Sequence, residues 1–195
     1  MSRDFTDRRF SRRSLLGLAF LPMMMATVPA YAGAAAEAYV TKIGNGVIGA
    51  ARNNSVGQFR SLLKANADIP AIAVYSLGPY RKSLTKDVQG QYFGLVEGYI
   101  SKVFASHAKS LAGQKLIVIG SKDAGDSTMV RSQIVFGDGR NVPVTWRIVQ
   151  RGGGFRVFDV NVDGVWLAST QKTNFTGILK KNGGKMSALL DYLRK

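Results

Sequence analysis

The stretch spanning residues 114–170 constrains the fold most, because it reads as consecutive strands joined by short turns. One run alternates apolar with polar or small positions, and its apolar members are Val142, Val144, Trp146 and Ile148. This period of two is typical of a half-buried strand. Turn sequences separate the runs at Asp138-Gly139, Gly152-Gly153-Gly154 and Asp163-Gly164. No segment of helical length lies between the strands, so the pattern predicts an antiparallel meander of about 4–5 strands.

Helical patterns precede and follow this run. The segments predicted as helical are residues 34–52, 55–66, 68–77, 85–111, 172–181 and a last helix from 186. Ser55 and Asp68 stand where caps are favoured. The helix over 85–111 spans roughly 40 Å at 1.5 Å per residue, which is enough to cross a sheet. The fold class predicted is therefore α+β, with a strongly curved antiparallel sheet covered by several helices.

Residues 1–32 have the three parts of a secretory signal peptide. A basic start leads into an apolar run, and Ala30-Tyr31-Ala32 offers small residues for a cut before Gly33. Arg12 and Arg13 precede Leu15-Leu16, as in twin-arginine export signals. The alternative is an ordinary signal with a strongly positive start. Either interpretation predicts a periplasmic protein with one domain over residues 33–195.

The chain is strongly basic and has no cysteine. Its formal net charge is +15, and the five arginines and two aspartates of residues 1–32 contribute +3, leaving +12. A basic balance often indicates nucleic acid, but an exported protein meets anionic phospholipid surfaces and acidic proteins instead. We therefore expect no nucleic-acid partner. The alternative is that the scattered cations form an ordinary solvated surface.

Motifs for catalysis or cofactor binding are weak throughout. Gly44, Gly46 and Gly49 spell GxGxxG, but no strand precedes them and no βαβ unit surrounds them. His107 is the only histidine, and no GxSxG elbow accompanies it. Asp159 lies inside an apolar strand, where a charge is costly unless it is hydrogen-bonded. We expect no cofactor, no metal site and no enzymatic activity, so the sequence favours a binding function.

The chain resembles the MlaC family, also called the toluene-tolerance auxiliary family, over nearly all of residues 33–195. The segments that carry the resemblance are Tyr75-Ser-Leu-Gly-Pro-Tyr-Arg81, Gln91-Tyr-Phe93, Phe155-Arg-Val-Phe-Asp-Val-Asn-Val-Asp-Gly-Val165 and Lys172-Thr-Asn-Phe175. The family commonly has tryptophan where Phe155 stands, glutamate where Asp163 stands and serine where Trp166 stands. The last departure leaves the identity of the ligand open.

The resemblance implies a lipid-binding component of a periplasmic ABC transport system, with a lipid cavity between helices and sheet. The partners it implies are a phospholipid, an inner-membrane ABC transporter complex and an outer-membrane lipoprotein complex. The residues expected to contact acyl chains are Phe93, Val96, Ile100, Val144, Trp146, Ile148, Val157 and Trp166. Those expected near the head group are Tyr80, Arg81 and Lys82.

Three alternatives stay open on the sequence. The first is a carrier of hopanoids or other nonpolar lipids, as in the related hopanoid-associated HpnM branch. The second is a small hydrolase or isomerase that uses Asp159 or His107. The third is a cationic module that binds anionic surfaces without an enclosed pocket.

Overall fold

The structure, a computed structural model, describes residues 30–195, with side chains from Gly33 onward. The predicted signal peptide lies almost entirely outside the described residues. The helices before the sheet are α1 (Ala30–Arg52), α2 (Val56–Asn66), α3 (Ile69–Ser76), the 3₁₀ helix η1 (Gly78–Ser83), α4 (Lys86–Ser106) and α5 (Ala108–Leu111). After the sheet come α6 (Leu167–Lys181) and α7 (Met186–Arg194).

The sheet is a five-stranded antiparallel meander. Its strands are β1 (Lys115–Asp123), β2 (Ser127–Val135), β3 (Asn141–Arg151), β4 (Gly154–Val162) and β5 (Val165–Trp166), in that spatial order. Register shifts fall at Ile119 and Phe158, where one strand carries an extra residue. Such bulges increase the local twist of a sheet. The α+β class predicted from the sequence is confirmed.

One face of the sheet, here called the inner face, is covered by α1. The strand register places Val130, Trp146 and Val160 in one row, and Val144 with Val162 in the next. From α1, Ala36, Val40 and Ile43 pack on this face and form the sheet cluster with its buried residues. Burial of each of the larger apolar side chains stabilises the fold by roughly 1.5–3 kcal/mol. A shift of register by one residue would expose them, so their burial fixes the strand register.

A second core, the helical cluster, lies among α3, α4, α6 and α7. Its fully buried members are Ala73, Leu77, Tyr92, Val96, Phe175, Leu179, Leu189 and Leu193. The Tyr92 hydroxyl donates to the Ala73 carbonyl at 2.9 Å, so the polar group of this buried ring is satisfied. A smaller cluster of Ala50, Ala51, Phe59 and Ala108 joins α1, α2 and α5. The two principal cores are therefore separate.

The structure corrects the predicted helix over residues 85–111. The helix breaks at His107, whose backbone leaves the helical region at φ −101° and ψ 7°. The His107 Nδ1 atom lies 2.9 Å from the Val103 carbonyl oxygen and 3.1 Å from the Ser106 hydroxyl oxygen. The side chain thus competes for helical backbone groups at the break. The helix also does not lie across the sheet as expected, because α4 packs on α2, α3 and α7.

The end of the meander differs from the prediction as well. The fifth strand has only two residues, Val165 and Trp166, and α6 begins at Leu167, five residues before the predicted helix start at residue 172. The cause is Asp159, whose Oδ1 atom accepts a hydrogen bond from the Ala168 N–H at 2.8 Å. A carboxylate at the first turn of a helix satisfies an orphan N–H and favours helix initiation.

Candidate functional site

Four of the residues predicted to contact acyl chains come together on the inner face. Val144, Trp146, Ile148 and Val157 all belong to the sheet cluster and are nearly inaccessible. The indole N–H of Trp146 donates to the Ser132 hydroxyl at 2.9 Å, and that hydroxyl donates to the Val144 carbonyl at 3.1 Å. Ser132 was not predicted as a site residue. The signal in the sequence is its position in β2, where the alternation of side chains places it on the inner face next to Val144.

Part of the inner face is incompletely covered. Ile134, Val142, Val160 and Val162 are only half-buried, and we call them the aliphatic strip. Four strands spaced about 4.8 Å apart are wider than a helix about 10 Å across. Since α1 packs chiefly on β1 and β2, one helix does not seal the whole face. The strip is therefore an apolar surface that stays partly accessible to solvent.

The three residues predicted from the long helix lie elsewhere. Val96 is buried in the helical cluster, and Phe93 and Ile100 pack against it. The structure therefore does not bring them together with the four sheet residues. Trp166 is also separate, since it pairs with Asn161 in a row that alternates with Val160 and Val162. This places it on the outer face of the sheet, opposite the aliphatic strip.

A cleft of about 420 Å³ opens between α3, η1 and α6. Its lining residues are Val74, Tyr75, Gly78, Pro79, Arg81, Lys82 and Lys172. We call it the cationic cleft, because three of these side chains are positive and none is acidic. Two of the three residues predicted near a head group, Arg81 and Lys82, are part of it. Tyr80 is not, because it packs against the helical cluster.

Glycine at position 78 lets η1 approach α6. Its φ of +52° lies in the left-handed region, and a Cβ there would come within 3.0 Å of Thr176 and 3.1 Å of Lys172. Any side chain would therefore strain the backbone and crowd the wall of the cleft. The tight turn Leu77-Gly78-Pro79, visible in the sequence, thus forms one wall of the cationic cleft.

Cations and aromatic rings continue from the cleft onto β4. The Lys172 ammonium lies 5.1 Å from the centre of the Tyr75 ring, and that ring meets Phe158 edge-on at 5.6 Å. The Arg147 guanidinium lies 5.4 Å from the centre of the Phe158 ring. Such cation–π contacts contribute about 0.5–1 kcal/mol at exposed sites. They favour the positions of Lys172 and Arg147 beside these rings.

Asp159 and His107, the candidate catalytic residues of the enzyme hypothesis, have structural partners. Asp159 Oδ1 accepts from the N–H groups of both Val160 and Ala168 at 2.8 Å. Burial raises the pKa of the Asp159 carboxyl, while these donors and Arg147 oppose the shift.

Within residues 33–195 no group of three or more potential ligands could hold a metal ion. Nor does any helix described here have the length and apolar character needed to cross a membrane.

The domain has an apolar layer between sheet and helix and a cationic cleft whose lining contains no acidic residue. These two features define an α+β binding domain. The fold is similar to that of the solved phospholipid-binding protein from Ralstonia solanacearum in complex with a phospholipid. That match has a TM-score of 0.70 and 21% identity, and it covers 82% of this chain and 94% of the other.

The sequence comparisons identify the family. The model of the family described as MlaC protein matches residues 40–195. The chain belongs to the MlaC family, so the resemblance found in the sequence is confirmed. It is also 25% identical over 112 residues to the intermembrane phospholipid transport system binding protein MlaC of Haemophilus influenzae. That match covers 55% of this chain and 52% of the relative, so the chain spans about half of that protein's length.

Proposed function

We propose that this chain is a periplasmic lipid carrier that holds phospholipid acyl chains and moves them between membrane transport complexes. The observation that carries the proposal is family membership over residues 40–195. The basic surface and the apolar inner face are consistent with it. The proposal includes removal of residues 1–32 after export, by the twin-arginine route, and a domain that begins at Gly33.

The acyl chains, in this proposal, lie along the aliphatic strip beside α1. The strip continues from buried Val144 and Trp146 to half-buried Val160 and Val162. Each methylene that leaves water for such a surface contributes roughly 0.8 kcal/mol. A single long chain therefore supplies enough free energy to offset a local separation of α1 from the sheet. The helical cluster is a weaker candidate, because its central side chains are almost completely buried.

Exchange of lipid with membrane complexes fits the same geometry. The proposed partners are an inner-membrane ABC transporter complex and an outer-membrane lipoprotein complex, as the family name implies. A site with an open side permits a chain to leave without global unfolding. The function proposed is binding and transfer without chemical turnover, which agrees with the structural roles of Asp159 and His107.

Lipid transfer between vesicles tests the proposal. Fluorescent phospholipid is loaded in donor vesicles, and its appearance in acceptor vesicles is followed with and without the protein. We expect catalytic amounts of the chain to accelerate transfer. A protein that takes up no lipid and does not change the transfer rate would refute the carrier function.

Matched variants on the two faces of the sheet test the acyl-chain site. Val162→Trp fills space beside the aliphatic strip, and Val135→Trp adds the same bulk on the outer face, where Val135 is also half-buried. We expect the first variant to lose lipid uptake and the second to retain it. Equal uptake by both folded variants would contradict the assignment of the strip.

A further inference from the structure

Among residues 33–195, the three cations of the cationic cleft have no acidic side chain as an ion-pair partner. Arg81, Lys82 and Lys172 line one concave space, and no acidic side chain lines it. None of the three forms an ion pair with a residue in the part of the chain that the structure describes. Like charges brought together repel unless an anion lies between them. The arrangement therefore favours a bound anion.

The cleft is formed by tertiary contacts and is more than a run of surface lysines. Lys172 comes from α6, ninety residues along the chain from Lys82, and its ammonium is held over the Tyr75 ring at 5.1 Å. The Tyr75 hydroxyl in turn lies 3.3 Å from the Ser169 hydroxyl oxygen. Gly78 sets the closeness of η1 to α6. These contacts place Lys172 on the wall of the cleft that also contains Arg81 and Lys82.

The lining chemistry matches a phosphate ester. Arginine offers a planar pair of donors that fits two phosphate oxygens, and lysine supplies point charges beside it. Val74 and Pro79 add apolar wall next to the cations, where the carbon atoms of a glycerol unit find contact. A volume of about 420 Å³ accommodates a phosphate with its glycerol.

We infer that the cationic cleft binds the phosphate of a phospholipid and selects lipids whose head group carries a net negative charge. This inference rests on the proposed carrier function and adds a head-group specificity to it. A zwitterionic head group brings an ammonium that finds no carboxylate among the lining residues, whereas an anionic head group brings none. A nonpolar polycyclic lipid leaves the cleft without a ligand.

The experiment compares lipid uptake from vesicles of phosphatidylglycerol, phosphatidylethanolamine and phosphatidylcholine. The test variant is Arg81→Gln/Lys82→Gln/Lys172→Gln. The control is Lys42→Gln/Arg52→Gln/Lys109→Gln, which removes the same charge from exposed positions outside the cleft. Circular dichroism and thermal unfolding verify that both variants are folded. Bound lipid is extracted and quantified by mass spectrometry.

We expect the wild type and the control to prefer phosphatidylglycerol, and the test variant to lose that preference. Each cation near a lipid surface contributes about 1 kcal/mol, or about fivefold in affinity, so uptake of phosphatidylglycerol should fall roughly tenfold or more. Equal uptake of the three lipids by the wild type, or equal losses in test and control variants, would overturn the inference but leave the carrier function standing. Uptake of no lipid would refute the carrier function itself.

Soluble anions distinguish the source of the phosphate. Inorganic phosphate and glycerol 3-phosphate are titrated separately, with the amide signals of Gly78 and Lys172 followed by nuclear magnetic resonance. We expect glycerol 3-phosphate to shift these signals more strongly than inorganic phosphate and to compete with phosphatidylglycerol. Tight binding of inorganic phosphate without competition against lipid would assign the cleft to a free anion and overturn the head-group role.

Discussion

Replacement of Asp159 by alanine tests how β4 and α6 are joined. The change removes the acceptor of two N–H groups, those of Val160 and Ala168, each 2.8 Å from Oδ1. The Ala168 N–H is buried, and an unsatisfied buried donor costs about 1–3 kcal/mol. With the half-buried Val160 N–H added, we expect a loss of about 2–4 kcal/mol. For a domain of this size that corresponds to a decrease in Tm of roughly 5–12 °C.

Thermal unfolding followed by circular dichroism measures this loss, and hydrogen exchange of the first turn of α6 locates it. Asp159→Asn is the matched control, because its amide oxygen keeps an acceptor in the same place. We expect the asparagine variant to lose much less stability than the alanine variant. Equal stability of the wild type and Asp159→Ala would refute the role of Asp159 in initiating α6.

The pH dependence of the same pair gives a second result. Burial raises the pKa of the Asp159 carboxyl in the folded protein above its ordinary value near 3.8. The folded state therefore holds the proton more tightly, and this contribution to stability is present below pH 3.8 and lost as pH rises through the folded pKa. Relative to Asp159→Asn, the wild type should be most stable at the acidic end. The opposite trend would contradict the raised pKa.

Four further outcomes are expected. Gly44→Ala should destabilise the fold by about 1–3 kcal/mol in denaturant titrations, because the alanine Cβ would overlap the Leu116 side chain. In the matched control Gly94→Ala the Cβ meets open space, and the free energy of unfolding should rise by up to about 1 kcal/mol. Ser132→Ala should cost about 1–3 kcal/mol by leaving the Trp146 N–H without its acceptor, and unchanged unfolding would contradict that bond. Burial raises the pKa of Tyr99 to about 12 and that of Tyr92 further, so stability should fall as pH rises above 10, less steeply in Tyr92→Phe. His107→Ala should leave lipid transfer unchanged, since its ring serves the break between α4 and α5.

The strands and most helix ends could be predicted because their causes are local. Alternating side chains and the Asp163-Gly164 turn define β3 and β4 within a few residues, and Ser55 and Asp68 cap α2 and α3 as expected. The start of α6 could not be predicted, because it depends on Asp159, nine residues before Ala168 in the chain. A helix boundary set by a tertiary hydrogen bond leaves little trace in local propensity.

Local patterns also could not predict which helix covers the sheet. The glycines of α1 weaken it by propensity, yet Gly44 is what allows α1 to lie close to Leu116 of β1. The helix predicted over residues 85–111 was the better candidate by length, but it ends at Ser106 and its apolar face packs on other helices. Arg81 and Lys82 could be identified next to a turn motif. Their convergence with Lys172 required the packing of α6 on α3 and η1.

Native mass spectrometry of the protein purified without detergent tests the central proposal most directly. The account predicts a population whose mass exceeds that of residues 33–195 by one phospholipid, released on collisional activation as an intact anionic lipid. The Val162→Trp variant should lack this adduct, and Val135→Trp should retain it. A wild-type protein that shows only its own mass, before and after incubation with phosphatidylglycerol vesicles, would contradict the account.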